Sequence, residues 1–558
     1  MDNYEIADQL SLLSKMMDIH GENTFKAKSY ASAAFTIEKL PEQIADLTRP
    51  QIFKIRGIGE TVGKKVIEII ETGELQDLKE LLNRTPQGVL EMMNIKGLGP
   101  KKIHVLWKEI KIDSLEELRR ACEEKRLSLI KGLGDKTEQK ILESLQFQER
   151  NTGKYLYSQI ESFAEAFHKK LMQKFTDYKT ELTGEYRRQL EVITKIEWVT
   201  TIPKEKLINY LITDDTMIQT ESDSELVVDV EGKLLLHFHL VTEDAFASKL
   251  FTTSCSEEFL QAWEGFGESK NDHQSEEEIF TEEGLHFIPP YLREKPEIIE
   301  AAERNSFSNI IQVSDIKGLI HSHSNWSDGG HTIEDMVIEL IQTGFEYLVI
   351  SDHSKAAFYA NGLSEERIRE QHRYIDEINK KYAPFKVFKS VECDILSDGS
   401  LDYADDVLST FDLVICSIHS NQQMNEEKAM KRLLGAITNP YTTLLGHMTG
   451  RLLLKRKGYP VDHKVIIDAC AEHNVVIEIN ANPKRLDMDW RFIDYALKKN
   501  VLLSIDPDAH TFDEFPYIKY GVLVAQKGGL TKENNLSSYS LQEFESYLAR
   551  IKELKGIS

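Results

Sequence analysis

Short apolar segments that alternate with helix-length segments constrain the carboxy-terminal part of the chain more than any other feature. From about residue 315 onward there are seven such segments, and almost every one has a histidine or an acidic residue at or near its end. They are IKGLIHSHS, YLVISDHS, KVFKSVECDIL, LVICSIHS, TLLGHMTG, VVIEINAN and VLLSIDPDAH. Strands that alternate with helices predict parallel βα units, and about seven of them suggest a barrel.

The polar residues at these segment ends form a candidate set of metal ligands. The functional groups of a parallel barrel gather at the carboxyl ends of its strands. Imidazole and carboxylate together suit Zn²⁺, Mn²⁺ or Fe²⁺, and nine donors suit a cluster of two or three ions better than one tetrahedral ion. A lone histidine is more often structural, so the prediction rests on the repeated placement. The set is His321, His323, Asp328, His353, Glu392, His419, His447, Asp508 and His510.

Within this region the sequence also predicts residues that act on a phosphoester. We expect metal binding and hydrolysis to depend on His353 and Asp508, because a bound divalent ion lowers the pKa of water to about 7 and so provides the nucleophile. Arg451 and Arg485 follow strand ends, where each could clamp a phosphate through paired hydrogen bonds. The alternative reading, that they are surface arginines paired with acids, carries equal weight.

The amino-terminal part instead repeats a Gly-x-Gly turn three times. Each copy follows an apolar residue and leads into a segment that contains lysine. Two glycines allow a tight turn, and the helix that follows presents free N–H groups and its positive dipole end to a phosphate. Three copies with matching flanks predict helix-hairpin-helix motifs that bind the DNA backbone without reading sequence. The candidate contacts are Gly57, Gly59, Lys64, Gly97, Gly99, Lys101, Gly132, Gly134 and Lys136.

Charge and cysteine content limit the class of protein. The chain has 92 acidic against 68 basic residues, a net charge of −24, which excludes a uniformly basic nucleic-acid coat but not a local DNA site. No apolar run approaches the roughly 20 residues that span a bilayer, so no membrane partner is expected. Five scattered cysteines without a C-x-x-C motif favour a reducing compartment, and we expect a cytoplasmic protein.

These motifs resemble those of the bacterial family X DNA polymerases. The amino-terminal likeness lies in NTFKAKSY, KIRGIGETVGKKVIEIIETG, NIKGLGPKKIHVLW and LIKGLGDKTEQKIL. The carboxy-terminal likeness, to the PHP (polymerase and histidinol phosphatase) domain of that family, lies in IHSHSNWSDG, ISDHS, ECDIL, SIHS, GHMTGRLL, EINANPKRLD and DPDAH. The resemblance implies a distorted (β/α)7 barrel with a trinuclear metal site that hydrolyses phosphoesters, and it gives all nine ligands by position.

The resemblance also implies a multidomain chain. It predicts α-helical helix-hairpin-helix amino-terminal domains, an α+β nucleotidyltransferase-like palm with its following subdomain, and the carboxy-terminal PHP barrel. The first helical domain is small and carries the first helix-hairpin-helix, and the second carries two more. In chain order we expect them at residues 1–85, 86–150, 151–305 and 306–558.

The palm departs from the family at the residues that would hold Mg²⁺ and the nucleotide. The family has a Gly-Ser turn, an Asp-x-Asp strand and a third Asp on a later strand. The residues found here are Glu185 in place of the serine, Lys195 and Glu197 in place of the first two aspartates, and His237 in place of the third. A lysine ammonium repels a metal ion and Glu185 repels a triphosphate. We therefore predict that polymerase activity is lost.

The leading hypothesis is a DNA-binding, metal-dependent phosphoesterase, either a 3′–5′ exonuclease or a 3′-end processing enzyme of DNA repair. Its direction follows from the resemblance, and its expected substrates are gapped or 3′-ended DNA. Three alternatives stay open: an active family X polymerase with 3′–5′ exonuclease, a small-molecule phosphatase of the histidinol-phosphate type, and a non-enzymatic DNA-binding scaffold. The DNA-gripping motifs oppose the phosphatase, and the complete ligand set opposes the scaffold.

Overall fold

A computed structural model of the chain describes residues 1–38, 40, 42–95, 97–128, 130, 132–213, 216–265, 273–304 and 307–557. Lys96 and Lys131, which precede two of the Gly-x-Gly turns, lie outside the described residues. The chain divides into two compact units, residues 1–152 and residues 153–558. Among the described helices, none is both long enough and apolar enough to cross a membrane.

The first unit is helical throughout its described regular structure, and one apolar core holds it together. That core buries Ile6, Leu10 and Tyr30 of the first two helices together with Val66 and Leu106 farther along the chain. A single turn of π-helix, Val105–Glu109, follows the seventh helix. The helices are α1 (Asn3–His20), α2 (Thr24–Glu38), α3 (Arg49–Ile52), α4 (Glu60–Thr72), α5 (Gln76–Asn83), α6 (Gln87–Met92), α7 (Pro100–His104), α8 (Leu115–Glu123) and α9 (Asp135–Asn151).

The three Gly-x-Gly turns adopt one backbone conformation. In each, the first glycine has a φ between 92° and 97°, which favours glycine, and the second immediately precedes α4, α7 or α9. Both glycines are exposed, whereas the apolar residue between them is buried. In chain order the turns are Gly57-Ile58-Gly59, Gly97-Leu98-Gly99 and Gly132-Leu133-Gly134. The buried residue anchors the turn and leaves the amino-terminal N–H groups of the next helix facing solvent.

The second unit begins with a five-stranded mixed sheet. Its strand order is β2-β4-β7-β6-β5, in which β4 and β7 are parallel and the other pairs are antiparallel. Trp198 and Phe238 stack at 5.0 Å in its core. The elements are β1 (Tyr155–Leu156), α10 (Tyr157–Lys174), β2 (Thr180–Thr183), α11 (Gly184–Arg187), β3 (Val192–Ile193), β4 (Lys195–Thr200), α12 (Lys204–Leu211), β5 (Thr216–Glu221), β6 (Glu225–Val230), β7 (Leu234–Leu240), α13 (Phe246–Thr253), α14 (Glu257–Trp263), α15 (Glu276–Glu282) and α16 (Glu297–Ala302).

A parallel βα barrel makes up the rest of this unit, as predicted. Its strands fall in two sheets, β8 to β10 and β11 to β15, and every pairing within them is parallel. The elements are β8 (Gly318–Ser322), α17 (Ile333–Thr343), β9 (Tyr347–Ile350), α18 (Glu365–Tyr382), β10 (Lys386–Lys389), β11 (Glu392–Asp394), α19 (Asp405–Leu408), β12 (Ile415–Ser417), α20 (Glu426–Ile437), β13 (Leu444–Leu445), α21 (His463–His473), β14 (Val476–Asn480), α22 (Ile493–Lys498), β15 (Leu503–Asp506), α23 (Ile518–Lys527) and α24 (Leu541–Leu554).

Two single parallel bridges join these sheets into a ring. One links His353, just after β9, to Glu392, and the other links Ser322 of β8 to Ala509, just after β15. Because β10 and β11 are separated by only two residues, they act as one strand, and the ring has seven strand positions. An apolar cluster of strand residues packs against α24, where Tyr347 stacks on Phe544 at 4.5 Å.

Buried polar contacts join the sheet domain to the barrel within this unit. The Glu191 carboxylate accepts hydrogen bonds from Trp490 Nε1 at 3.0 Å and from Arg491 at 3.2 Å. The Lys527 ammonium is buried, donates to the Arg188 carbonyl at 2.7 Å and lies 3.0 Å from Glu294. Burial lowers the pKa of Lys527 to about 8. The sheet and the barrel accordingly belong to one compact unit.

Replacing Glu276 by glutamine will destabilise the second unit. Its carboxylate accepts from the fully buried Arg293 at 2.5 Å and from Arg187 at 2.6 Å, so the variant leaves a buried guanidinium without its counter-ion. We expect the free energy of unfolding to fall by about 3–5 kcal/mol, measured by urea denaturation. Glu277→Gln, an exposed neighbour on α15, is the matched control and leaves the midpoint unchanged.

The ion pairs of Glu276 with Arg293 and Arg187 make this contribution to the free energy of unfolding depend on pH. Burial raises the pKa of Glu276, but Arg293 and Arg187 outweigh burial and hold it below the ordinary value of 4.5. The stabilisation is therefore complete above pH 4.5 and is lost as the pH falls through the lower folded value. If Glu276→Gln and Glu277→Gln are equally stable at neutral pH, the stabilising role assigned to Glu276 is wrong.

Candidate metal centre

The structure brings the nine predicted ligands to the carboxyl ends of the barrel strands. His321 and His323 end β8, and the backbone N–H of His323 donates to the carbonyl of Ala509, beyond β15, at 2.8 Å. Residues on neighbouring strand ends therefore face one another. His321 and Asp508 both have left-handed backbone, with φ of 57° and 54°. Such strain in non-glycine residues clusters at functional sites, where surrounding contacts hold it.

Glu392 lies at the middle of this group. Its carboxylate is buried and is approached by imidazole nitrogens of five histidines from four strand ends. The nearest distances to a Glu392 oxygen are 3.4 Å for His321, 3.6 Å for His323, 3.0 Å for His353, 3.1 Å for His419 and 2.8 Å for His447. No other carboxylate in the described residues of the barrel has so many imidazole neighbours. Its central place fits a carboxylate that bridges ions.

Eight of the nine predicted ligands fall into three overlapping groups whose donor atoms lie within 4.8 Å of one another. The ninth, His447, lies outside these groups, but its Nε2 is 2.8 Å from the Glu392 carboxylate. The groups are His323, Asp328, His353 and His510; His321, His323, Glu392 and Asp508; and His353, Glu392 and His419. Each group contains both nitrogen and oxygen donors, and neighbouring groups share a residue. This arrangement could hold two or three ions joined by common ligands.

Several donor atoms of this centre are buried without a hydrogen-bond partner among the described residues. They include His321 Nε2, His353 Nδ1 and Glu392 Oε2. His353 Nδ1 and Glu392 Oε2 are only 3.0 Å apart, yet their geometry makes no hydrogen bond. Burying such atoms without partners is costly, and metal coordination would satisfy them. The residues present therefore fit a metal cluster.

The charges of the centre compensate one another. Burial raises the pKa of Glu392, but the neighbouring imidazoles, His419 and His321 foremost, outweigh it and hold the value well below normal. Burial lowers the pKa of His419, whereas Glu392 and Asp394 raise it to about 10. His323 differs, because burial and the neighbouring His510 both lower its pKa. The Glu392 carboxylate is thus ionised, and its charge must be balanced by imidazolium or by metal.

Polar neighbours that the sequence reasoning missed hold the ligands in place. Glu478 accepts from the Nδ1 of His321, and the Asn480 amide donates to both Glu478 and Asp508 at 3.2 Å. Asp394 lies 3.2 Å from Nδ1 of His419. Such partners fix the ring orientation of ligating histidines. Their signal was present: Glu478 and Asn480 are two residues apart on β14 and so point to one side of the strand.

The two arginines predicted to bind phosphate have different surroundings. Arg451 donates to Asp489 at 2.8 Å and to the carbonyls of Arg485 and Leu486. Its guanidinium is therefore committed to the protein, which favours the structural alternative for Arg451. Arg485 lies 3.7 Å from Asp508, and its Nη1 is buried without a hydrogen-bond partner among the described residues. Arg485 alone stays a candidate for phosphate binding.

Three of the four altered palm positions also converge. The Lys195 ammonium is 2.8 Å from Glu197 Oε1 and 3.1 Å from His237 Nδ1, and the register of β4 and β7 pairs Glu197 with His237. His239, which sequence reasoning missed, approaches Glu197 at 3.2 Å. Although burial raises the pKa of Glu197, hydrogen bonds from His237, His239 and Lys195 hold it well below normal. A lysine thus supplies the positive charge beside this carboxylate.

Glu185 has a separate role from those three residues. Its carboxylate accepts hydrogen bonds from the backbone N–H of Thr194 at 2.6 Å and from the Thr194 hydroxyl at 2.9 Å. It therefore fixes the turn before β4. Nearby, Arg187 donates to Ser254 and Glu276 at 2.8 and 2.6 Å, so its guanidinium is also engaged.

The lysines predicted to contact DNA are all on the surface of the first unit. Lys101 and Lys136 are exposed in the first turns of α7 and α9. Lys64 is exposed on α4 and pairs with Glu60 at 2.7 Å. An exposed pair of this kind is weak, so it can exchange for a phosphate at little cost. The lysines follow the glycine turns in each repeat, as a shared backbone-binding role requires.

Three models of known protein families match separate parts of the chain. Residues 1–75 match a helix-hairpin-helix domain, and residues 89–146 match a SAM-like helix-hairpin-helix tandem. Residues 320–482 match the PHP domain.

Among curated proteins, the chain is similar to the DNA polymerase/3′-5′ exonuclease PolX of Bacillus subtilis (strain 168), with 31% identity over 99% of this chain and 100% of the relative. It is 23% identical to a probable phosphatase of Thermoanaerobacter sp. (strain X514), over 43% of this chain and 98% of that protein. A shorter match, 30% identical over 21% of this chain, reaches 20% of the DNA polymerase lambda of Rattus norvegicus.

Metal binding at this centre will release protons. In the metal-free protein His321, His353 and His419 have raised pKa values, because burial, which lowers them, is outweighed by the neighbouring carboxylates. They hold protons near neutral pH and must lose them to become ligands, so the metal affinity falls as the pH drops from about 8 to about 6. Calorimetric titration at one pH in two buffers of different ionisation heat measures the protons released. Equal heats in both buffers would refute this linkage.

Proposed function

The chain belongs to the bacterial family X DNA polymerases, and we propose that it is a DNA-binding 3′–5′ exonuclease or 3′-end processing enzyme of DNA repair whose polymerase activity is lost. Its PHP domain makes it a metal-dependent hydrolytic enzyme, and its helix-hairpin-helix domains bind DNA. One observation carries the proposal: nine imidazole and carboxylate side chains, with Glu392 at their middle, lie together at one end of the barrel.

The proposed reaction is hydrolysis of a phosphodiester at this centre. Divalent ions held there would supply positive charge at the phosphate and lower the pKa of an attacking water. Arg485 adds a fixed cation, because its buried Nη1 is free to donate to a phosphate oxygen while its Nε faces Asp508. Glu478, Asn480 and Asp394 hold the ligands in the orientation that the reaction needs.

The 3′–5′ direction of hydrolysis and the DNA substrate are inferred from the family. The Bacillus subtilis relative is named a 3′-5′ exonuclease and matches this chain end to end. The three helix-hairpin-helix turns favour a polymeric DNA substrate, because a small monoester needs no backbone grip. This counts against a histidinol-phosphate type phosphatase, although the probable phosphatases share the barrel. The five free, buried cysteines favour a reducing cytosol as the place of action.

Loss of polymerase activity rests on the charge at the palm. Two-metal nucleotidyl transfer needs carboxylates free to bind Mg²⁺. Here the Glu197 carboxylate is already paired with the Lys195 ammonium and with two imidazoles. Arg187, one of the two arginines that the family places after the Gly-Ser turn, is held by Glu276. A triphosphate therefore meets a Glu197 carboxylate that is already paired and an Arg187 guanidinium that is already engaged.

Substituting His353 or Asp508 with alanine will abolish hydrolysis and preserve DNA binding. We expect the rate on a labelled 3′-recessed duplex with Mn²⁺ to fall by at least about 100-fold, since even the partners of metal ligands cost up to that factor. Gel-shift affinity should stay within about twofold, because the backbone contacts lie in the first unit. Asp406→Ala, an exposed acid of α19, is the control. A variant that lacks metal and still shortens the strand would reject the proposal.

The chain will not extend a primer. A template-primer with a gap, all four dNTPs and Mg²⁺ or Mn²⁺ should yield no longer product over hours. The assay uses the Asp508→Ala protein, so that hydrolysis cannot mask synthesis, and a known polymerase as positive control. Template-dependent extension would show that the assignment of Lys195 and His237 is wrong.

A further inference from the structure

A short loop beside the metal centre exposes two aromatic rings. This stacking loop, residues 354–362, leaves the barrel directly after His353 and returns to it, because the backbone N–H of Leu363 donates to the His353 carbonyl at 2.9 Å. Phe358 is 85% exposed, more than any other large apolar side chain among the described residues, and Tyr359 is 59% exposed. Exposure of two adjacent aromatic rings is costly in water and marks a binding surface.

The loop is held in one conformation by contacts at both ends. The backbone N–H of Ala356 donates to Asp402 at 2.6 Å, and Arg367 donates to the Asn361 carbonyl at 2.8 Å. Gly362 packs so tightly that a Cβ would lie 1.9 Å from the Ser354 carbonyl oxygen. The rings thus project from a fixed support, which reduces the entropy lost when a ligand binds.

The loop also faces the metal centre. The Asn361 amide donates to the Trp326 carbonyl at 3.1 Å, two residues before the ligand Asp328. The rings of Phe358 and Tyr359 are 5.9 Å apart at 78°, so each leaves a face open.

We propose that Phe358 and Tyr359 stack on the unpaired bases at the 3′ end of the strand that is cleaved. The inference rests on the proposed function and names the substrate more closely: a frayed or single-stranded 3′ end. Every base has a flat face, so stacking on aromatic side chains holds single strands without reading sequence. The place of the rings, on a loop that begins at a metal ligand, puts the stacked bases next to the phosphodiester to be hydrolysed.

The direct test measures stacking without hydrolysis. An oligonucleotide with 2-aminopurine at its 3′ terminus is titrated with the Asp508→Ala protein, and its fluorescence reports stacking of that base. We expect the 2-aminopurine fluorescence to change clearly on binding. The double substitution Phe358→Ala/Tyr359→Ala, made in the Asp508→Ala protein, should remove this change. Phe358→Leu keeps apolar bulk without a planar ring and should lose most of the signal. Phe163→Ala, an aromatic 41% exposed on α10, is the matched control and should retain it.

A kinetic test uses the hydrolysing protein. The wild type should prefer a 3′ end with bases over one whose last three nucleotides are abasic, and the double alanine variant should not discriminate. We expect its KM for the natural end to rise about 10-fold or more, the scale of stacking on one aromatic ring. An unchanged fluorescence signal and an unchanged KM in the double variant would overturn the inference. If the wild-type protein stacks the base but does not hydrolyse the strand, the proposed function is overturned and the stacking inference is not.

Discussion

The barrel depends on the placement of one ionised carboxylate in a buried setting. Glu392 has no access to solvent, and removing such a charge from water is costly unless positive charge or strong donors surround it. Five imidazoles from four strand ends provide that surrounding. The strand ends therefore have to meet at one point. The parallel backbone bridges at His353 and Ser322, which join the two sheets, bring them together.

The palm solves a similar problem with a different cation. Glu197 is also buried and ionised, but the Lys195 ammonium, 2.8 Å away, comes from the chain itself. A covalently attached cation cannot be exchanged for a metal without an unfavourable separation of charge. Among the described residues, the barrel leaves donor atoms such as His321 Nε2 and Glu392 Oε2 without hydrogen-bond partners. In the palm, Glu197, His237 and His239 also lie close enough to hold an ion, but the Lys195 ammonium already pairs with the carboxylate.

Sequence alone reaches the residues whose position is set by the pattern of strands. Most of the nine donors could be predicted because a strand end in a parallel barrel fixes the direction of its last side chains, whereas Asp328 and His510 lie in loops beyond β8 and β15. The partners of those ligands were harder: Glu478 and Asn480 lie on β14 and resemble ordinary buried polar residues. Arg451 was ambiguous, since a guanidinium near a strand end can bind either phosphate or protein carbonyls, and only the contacts decide. His239 was missed because its neighbour Glu197 lies on a strand 42 residues earlier.

The charges of the centre also determine when DNA can approach it. Without metal, Asp328, Glu392 and Asp508 place three carboxylates where a phosphate would have to lie, in a chain whose net charge is −24. A polyanion is repelled from such a site, so cations that fill it strengthen the binding of DNA there. The helix-hairpin-helix turns bind backbone phosphates and the exposed aromatic loop offers flat rings, and neither contact depends on base identity. Under the proposed function, specificity therefore rests on the state of the DNA end and on metal loading, rather than on nucleotide sequence.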